Sequence, residues 1–375
     1  LGFDAILGAV SFASRKPARD SAARRERFDR RTVALLAVAA AGTLLFLIQA
    51  AAAPPNATDY LAIWGLKGRT IAESGSIPGR LFHDPALAWA HPEYPLLVSL
   101  TLAATARFAG GWSETGVVVF YVFCQAATLA ALFGFRARRG STLRGALAAA
   151  LAALCVGLYA RGNVGTAEIP MALGFVLLAE AFLDSLAEDR GSLARLSIAA
   201  FFCASTKNEG AVLAVLLALW GLLGSGVAGR VRLRTAFAAT LPGVAHAAIL
   251  RLATGPVRAR DFDLGLLQPA RWGELPPRLS EAALRIFSVS LLPAIPAILA
   301  IGVFFLVTRR GDADVLLPAL ALQVLVYAAA CAFSAFSVRW HVDSSFSRIT
   351  LALFPAAALV MAGRRLPERT ARRSA

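Results

Sequence analysis

Long apolar runs recur along the whole chain of 375 residues, and they constrain its fold more than any other feature. An apolar run of about 18 or more residues is long enough to cross the hydrocarbon core of a bilayer as an α-helix. Only 16% of the residues are charged, against about 25% in ordinary soluble domains, and the mean hydropathy is +0.64. The composition therefore predicts an all-α, polytopic integral membrane protein, and it excludes a disordered chain, a disulfide scaffold and a collagen-like fibre.

The formal charge of +15 could indicate a nucleic-acid-binding protein, but the position of the basic residues argues against this class. Of the 38 Lys and Arg residues, 24 lie in short segments that alternate with apolar runs. This distribution is the positive-inside bias of a membrane protein. We expect no nucleic-acid partner and place these segments in the cytoplasm: 15–31, 136–144, 190–195, 230–234, 309–310 and 364–373.

This placement predicts a helix bundle of about ten spans, with both ends of the chain in the cytoplasm. If the run 94–109 also crossed, the arginines of 136–144 would lie outside, so we predict that this run stays on the outer side. The predicted spans are 32–53, 117–135, 145–160, 169–187, 194–207, 210–227, 236–253, 286–307, 313–335 and 348–363.

The resulting organisation is a transmembrane domain, 32–363, whose outer loop, 54–116, carries interfacial helices. A basic cytoplasmic segment, 1–31, precedes it, and a basic cytoplasmic tail, 364–375, follows. In segment 1–31 the apolar residues come before the charges, the reverse of a signal peptide. We therefore expect 1–31 to be the remnant of a longer N-terminal region.

Polar side chains that could perform chemistry gather in the predicted outer segments. The first group is Asp59, Trp64 and Lys67, just after the first span. Helical spacing predicts an amphipathic helix along the membrane interface, and a solvated loop is the alternative. A carboxylate at this position, Asp59, is well placed to act as a general base on an acceptor hydroxyl.

The second group is the sequence His91-Pro92-Glu93-Tyr94-Pro95. Its prolines predict an extended turn, and its spacing matches no pair of metal ligands on a helix face. The four cysteines lie inside apolar runs and show no metal-ligand spacing. We predict no cofactor, and the sequence does not support a divalent metal.

Three further groups mark the outer ends of later spans. Glu168 precedes Pro170, and it is either a helix cap that suits the dipole or a second functional acid. Lys207-Asn208-Glu209 separates two short spans, where charged residues are costly and often functional. Arg348, beside several serines, is either a phosphate ligand or an arginine whose side chain reaches the headgroups.

In this order, these motifs resemble the GT-C superfamily of integral membrane glycosyltransferases. The similarity is strongest to the branch of protein O-mannosyltransferases and aminoarabinose transferases, which use polyprenyl-phosphate sugars. It covers residues 32–363 and rests on an acid followed by W-x-x-K, on HPEYPLL, AEIP and TKNEG, and on a late S-x-x-R. The second-loop acid departs from the family pattern, since it is Glu168 where Asp is commoner.

The resemblance implies inverting transfer of a sugar from a polyprenyl-phosphate donor to a hydroxyl on the non-cytoplasmic face. The acceptor would be a lipid, a protein or a glycan. Asp59 would be the catalytic base and Glu168 the second acid. Lys67, Lys207 and Arg348 would bind the donor phosphate. Further candidates for substrate binding are Trp64, His91, Glu93, Tyr94, Asn208 and Glu209.

The abundance of alanine and arginine suggests a bacterial source, so the expected location is the inner membrane, with the active site facing the periplasm. Two other classes of function are possible. A transporter or flippase for a lipid-linked or anionic substrate would need ionisable groups spread through the spans, where this chain has few. A non-catalytic membrane scaffold would not need acids and bases on one face. The asymmetric distribution of charged residues therefore favours an enzyme.

Overall fold

The computed structural model describes residues 28–189, 191–224, 229–255, 263–288 and 313–361. Within these ranges the chain is helical and contains no β-strand. Four helices are long and apolar enough to cross a membrane, and five further apolar helices are shorter. The all-helical prediction is thus confirmed for the described residues, whereas the count of ten spans stays a prediction.

The helices of the first half of the chain are α1 (Arg30–Ala51), α2 (Gly65–Ser74), α3 (Leu97–Phe108), α4 (Glu114–Arg138), α5 (Thr142–Ala153) and α6 (Glu168–Leu186). Those of the second half are α7 (Ser192–Thr206), α8 (Asn208–Gly224), α9 (Gly229–Thr254), α10 (Leu275–Ile286), α11 (Ala313–Ala332), α12 (Ser347–Leu351) and α13 (Phe354–Met361). Short helical turns lie between them: Tyr60–Trp64, Arg80–His83, Pro85–Ala90, Arg161–Asn163, Leu264–Leu267, Pro269–Glu274, Val338–His341 and Val342–Phe346.

Helix α6 forms the centre of the bundle. All its residues except Leu177 are buried, and it packs against α4, α7, α8, α9 and α13. By contrast, α1 and α9 expose apolar side chains to the surroundings, such as Ile48 and Leu252. A soluble protein would not leave such long apolar faces open, but the hydrocarbon of a bilayer would cover them.

Local sequence signals explain where several helices begin and end. The Asp29 carboxylate accepts a hydrogen bond of 2.7 Å from the backbone N–H of Thr32 and caps α1. The Ser113 hydroxyl caps α4 in the same way. The last turn of α4 carries Arg136 and Arg138, whose charges suit the negative end of the helix dipole.

Ion pairs near the C-terminal end of α6 bring two of the predicted inner loops together. Asp184 pairs with Arg139 at 3.0 Å and with Arg195 at 3.1 Å, and Glu180 lies 3.6 Å from Arg138. We call these residues the arginine end of the bundle. The loops that follow α4 and α6 therefore lie at the same end, the arrangement that the charge bias predicts.

The structure corrects two of the predicted spans. The run predicted to cross over 145–160 is helical only to Ala153, after which the chain turns and the Tyr159 ring packs on Phe46. The final predicted span, 348–363, is divided between α12 and α13. Pro355 has no N–H to donate to the carbonyl of Leu351, so the helix cannot continue regularly there.

The other predictions for this architecture have different outcomes. Helix α3, in the run 94–109, has 12 residues, which corresponds to about 18 Å at 1.5 Å per residue. That is less than the roughly 30 Å of hydrocarbon, and α3 packs on the loop helix α2. The predictions for 1–27, 289–312 and 362–375 lie outside the described residues.

Candidate active site

Five charged side chains from distant parts of the sequence meet at the end of the bundle opposite the arginine end. Each is held by the end of a helix or by a turn beside one. Asp59 precedes the turn Tyr60–Trp64, and Glu168 is the first residue of α6. We call the set the charge cluster, and its members are Asp59, Glu168, Lys207, Glu209 and Arg348.

One oxygen of Glu168 bridges the two cations of the charge cluster. Glu168 Oε1 lies 3.1 Å from Lys207 Nζ and 3.3 Å from Arg348 Nε. Lys207 Nζ is also 3.1 Å from Glu209 Oε1, and Arg348 Nη2 is 2.8 Å from Asp59 Oδ2. The structure therefore places Lys207 and Arg348 at one site, in contact with both predicted acids.

The charge cluster is costly to bury, which argues that it does more than stabilise the fold. The Glu168 side chain is fully inaccessible, and Lys207 is buried. Lys207 Nζ lies between the Glu168 and Glu209 carboxylates, which favour its charged form.

A tight turn between α7 and α8 directs Lys207 into the charge cluster. Lys207 has extended backbone angles, and its N–H still bonds to the carbonyl of Cys203. Gly210 packs directly on that carbonyl, because a Cβ at position 210 would lie 2.2 Å from Cys203 O. Only glycine fits there, so the TKNEG sequence specifies this turn.

The predicted outer loop forms a second group of contacts around Tyr94. The Tyr94 ring stacks on His91, with centroids 4.6 Å apart, and on Trp64, with centroids 5.7 Å apart. His91 Nδ1 lies 3.1 Å from Glu93 Oε1. We call Trp64, Tyr94 and His91 the aromatic stack. It adjoins the charge cluster, because Tyr94 interacts electrostatically with Arg348.

Lys67 lies behind the aromatic stack. Its side chain is fully buried, and Nζ donates a hydrogen bond of 2.5 Å to the carbonyl of His91. Burial lowers the pKa of Lys67 to about 8, and only the Glu93 carboxylate opposes this shift. The sequence placed Lys67 with the phosphate ligands, whereas the structure places it against the backbone of the aromatic stack.

The predicted amphipathic helix of the first loop differs from the observed one. Regular helical spacing would place Asp59, Ile63 and Leu66 on one face. The residues Tyr60–Trp64 instead form a π-helical turn, which is wider than an α-helical turn and changes which side chains face inward. Trp64 and Lys67 are fully buried as a result, while Leu66 is half-buried.

Asn208 is the one candidate of the TKNEG sequence that the structure leaves exposed, at the start of α8. Sequence reasoning missed two side chains of α11 that border the charge cluster. Gln323 donates a hydrogen bond of 3.1 Å from Nε2 to the carbonyl of Glu209, and Tyr327 interacts electrostatically with Glu209 and Glu168. The available signal was a buried amide within an apolar run, which is costly and often functional.

An apolar groove runs beside the charge cluster, between α3, α4, α6 and α7. Its lining includes Pro170 and Thr206, which are close in sequence to Glu168 and Lys207, so one end of the groove reaches the charged groups. The remaining lining residues are Leu97, Val98, Thr101, Phe120, Phe123, Cys124, Leu173 and Phe202.

Among the described residues, no three His, Cys, Asp or Glu side chains are arranged to hold a metal ion. Comparison of the chain with protein-family models, with curated proteins and with solved structures gave no match. The chemistry of the charge cluster is therefore argued from its own geometry.

Proposed function

We propose that this protein is a membrane glycosyltransferase that moves a sugar from a polyprenyl-phosphate donor to an acceptor hydroxyl, with inversion. The observation that carries the proposal is the ion pair between Arg348 and Asp59 inside the charge cluster. It joins a carboxylate that can accept a proton to cations that can hold a phosphate. The sequence resemblance to the GT-C superfamily points to the same chemistry.

The exposure of the two acids favours Asp59 as the general base. The Asp59 side chain is 23% exposed, so an acceptor hydroxyl can approach it. Glu168 is inaccessible, and its Oε1 already faces both cations. We assign Asp59 to proton removal, and Glu168 to holding Lys207 and Arg348 in position.

The cations of the charge cluster suit the phosphate of the donor. The cluster holds three carboxylates and two cations, so its formal charge is −1. A phosphate must therefore displace a carboxylate, and Asp59, the more exposed partner of Arg348, is the one that can leave. In this scheme donor binding takes Arg348 away from Asp59 and frees the base.

The reaction then needs one proton transfer by the protein. The acceptor oxygen bonds to the anomeric carbon as the bond from that carbon to the phosphate oxygen breaks, and the acceptor proton passes to Asp59. Arg348 and Lys207 stabilise the negative charge that grows on the departing lipid phosphate. The lining of the apolar groove includes Pro170 and Thr206, near Glu168 and Lys207 in sequence, and in this scheme these residues contact the lipid part of the donor.

The location of the reaction is part of the proposal. The positive-inside bias places the charge cluster on the non-cytoplasmic side, and the composition points to a bacterial inner membrane with the site facing the periplasm. The acceptor would then be a lipid, a protein or a glycan of the cell envelope.

A transfer assay with purified protein tests this proposal. The protein would be incubated in detergent with radiolabelled polyprenyl-phosphate sugars and an extract of cell-envelope acceptors, and labelled product would be counted. General-base catalysis contributes about 10²–10⁴-fold, so Asp59→Asn should lower turnover by that factor. Glu73→Gln, in an exposed ion pair with Arg69, is the control and should keep full activity. Near-normal turnover by the Asp59 variant would reject Asp59 as the base.

The competing function is transport or flipping of a lipid-linked or anionic substrate. A transporter would have charged groups along its path, and α6 carries charged groups at both ends. Those of the arginine end form ion pairs with one another, which argues against a role in binding substrate. Proteoliposomes decide between the two. Movement of a fluorescent polyprenyl phosphate across the bilayer, without any sugar transfer, would support a flippase.

A further inference from the structure

Three buried polar atoms beside the charge cluster make no hydrogen bond within the described part of the chain. They are Glu168 Oε2, Gln323 Oε1 and the Tyr327 hydroxyl. The side chains of Glu168 and Gln323 are fully buried, and Tyr327 is nearly so. An unsatisfied buried polar atom costs about 1–3 kcal/mol, so a group of three calls for an explanation.

The three atoms border one region. Gln323 and Tyr327 are four residues apart on α11 and therefore lie on the same face of that helix. The Gln323 amide bonds to the backbone of Glu209 through Nε2, and it lies beside the Tyr327 hydroxyl without reaching hydrogen-bond geometry. Tyr327 interacts electrostatically with Glu209 and with Glu168. Glu209 and Glu168 both contact Lys207, so this face of α11 lies next to the charge cluster.

Their chemistry indicates what would bind there. A carboxylate oxygen and an amide oxygen only accept hydrogen bonds, so the ligand must donate them. The phosphate of a phosphodiester has no hydrogen to donate, so it does not suit these two oxygens. A hydroxyl group donates to either oxygen and can also pair with a tyrosine hydroxyl. Ammonium groups and hydroxyl groups both meet this requirement, and hydroxyl groups are the donors that the sugar of the proposed donor carries.

We propose that Glu168 Oε2, Gln323 Oε1 and the Tyr327 hydroxyl form the subsite for the sugar hydroxyls of the donor. This inference rests on the proposed function. It adds that different sides of the charge cluster bind the phosphate and the sugar. Arg348 and Lys207 face the phosphate, and α6 with α11 faces the sugar. Selectivity among sugars would then depend on Gln323 and Tyr327, which play no part in the proton transfer.

The test compares two lipid phosphodiesters of equal charge. One is farnesyl methyl phosphate, and the other carries glucose, mannose, galactose or arabinose in place of the methyl group. Dissociation constants would be measured in detergent from the change in tryptophan fluorescence. We expect at least one sugar diester to bind about tenfold or more tightly than the methyl diester, since each added hydrogen bond contributes about three- to tenfold.

The decisive variant is Tyr327→Phe, which removes an oxygen that makes no hydrogen bond within the described residues. It should weaken binding of the preferred sugar diester by about three- to tenfold, leave the methyl diester unchanged and not lower stability. Tyr159→Phe is the matched control, because Tyr159 is also buried, has a hydroxyl without a hydrogen bond in the described residues and packs on Phe46. It should change neither affinity. If Tyr327→Phe does not fold, Gln323→Met takes its place under the same binding criteria, although its stability should fall because the hydrogen bond to the Glu209 carbonyl is lost.

The outcomes separate the subsite from the proposed function. If neither kind of diester binds, the glycosyltransferase proposal fails. The subsite alone is wrong in three cases. The first is that all sugar diesters bind no better than the methyl diester, and the second is that Tyr327→Phe weakens both kinds equally. The third is that the sugar preference is unchanged in Tyr327→Phe, and bound water would then be the partner of these atoms.

Discussion

Replacing Glu168 by glutamine should destabilise the bundle strongly, because the bridging oxygen would lose its charge. With an effective dielectric constant of about 20, a contact of 3.1 Å between Glu168 and Lys207 corresponds to roughly 5 kcal/mol of attraction. Desolvation offsets much of this, yet removing one partner leaves the other charge buried. Leaving a buried charge without a partner costs about 3–5 kcal/mol. Because Lys207 keeps Glu209 and Arg348 keeps Asp59, we expect Glu168→Gln to fall at the lower end of that range.

A double-mutant cycle isolates the contact from other effects of the substitution. The free energy of unfolding would be measured by titration with sodium dodecyl sulfate in mixed micelles, followed by near-ultraviolet circular dichroism. Glu168→Gln, Lys207→Met and the double variant should give a coupling energy of about 2 kcal/mol or more. The exposed pair Arg69 and Glu73 serves as the control and should show no measurable coupling.

A small coupling energy would refute the reasoning about the bridge. If the cycle gave less than about 0.5 kcal/mol, the effects of the two substitutions would simply add. The contact between Glu168 and Lys207 would then not organise the charge cluster, and Glu168 could not be the residue that positions the cations.

Two further predictions concern Lys67 and Gly210. The pKa of Lys67 is lowered to about 8 by burial, so between pH 8 and the unfolded value near 10.5 the unfolded chain binds more protons. The free energy of unfolding should therefore rise with pH across this window, by up to about 3 kcal/mol, and Lys67→Met should remove the rise in a pH series of the same titration. Gly210→Ala would push a Cβ into the Cys203 carbonyl and should lower stability by more than about 2 kcal/mol, whereas Gly229→Ala, with open space around it, should be near neutral in the same assay. A stable Gly210→Ala protein would show that the turn can relax.

Much of the candidate site was predictable because charged groups near a membrane are rare and their order is informative. Asp59, Glu168, Lys207 and Arg348 stand out in an apolar chain, and the alternation of basic loops assigns them to one side. The structure joins these four through ion pairs. The sequence pattern does not give distances between side chains. It therefore did not show that Lys67 contacts the His91 carbonyl.

The remaining features depend on packing that a linear pattern does not encode. The π-helical turn after Asp59 changes which side chains are buried, and no residue type in the sequence predicts such a turn. Helix α5 is shorter than its apolar run, because hydrophobicity alone does not distinguish a helix from a packed turn. Gln323 and Tyr327 lie near the charge cluster because α11 packs on α8, and the sequence does not reveal that packing.

The ion pair between Arg348 and Asp59 also has a consequence for how the protein is made. Asp59 follows the first long helix, whereas Arg348 belongs to α12, near the far end of the described chain. A ribosome delivers helices to the membrane in sequence order, so Glu168 and Lys207 are inserted before Arg348 exists. Until then a buried carboxylate lacks one of its cations, and the nascent chain must hold it near water, protonate it or shield it with another partner. The charge cluster is thus completed only at a late stage of synthesis.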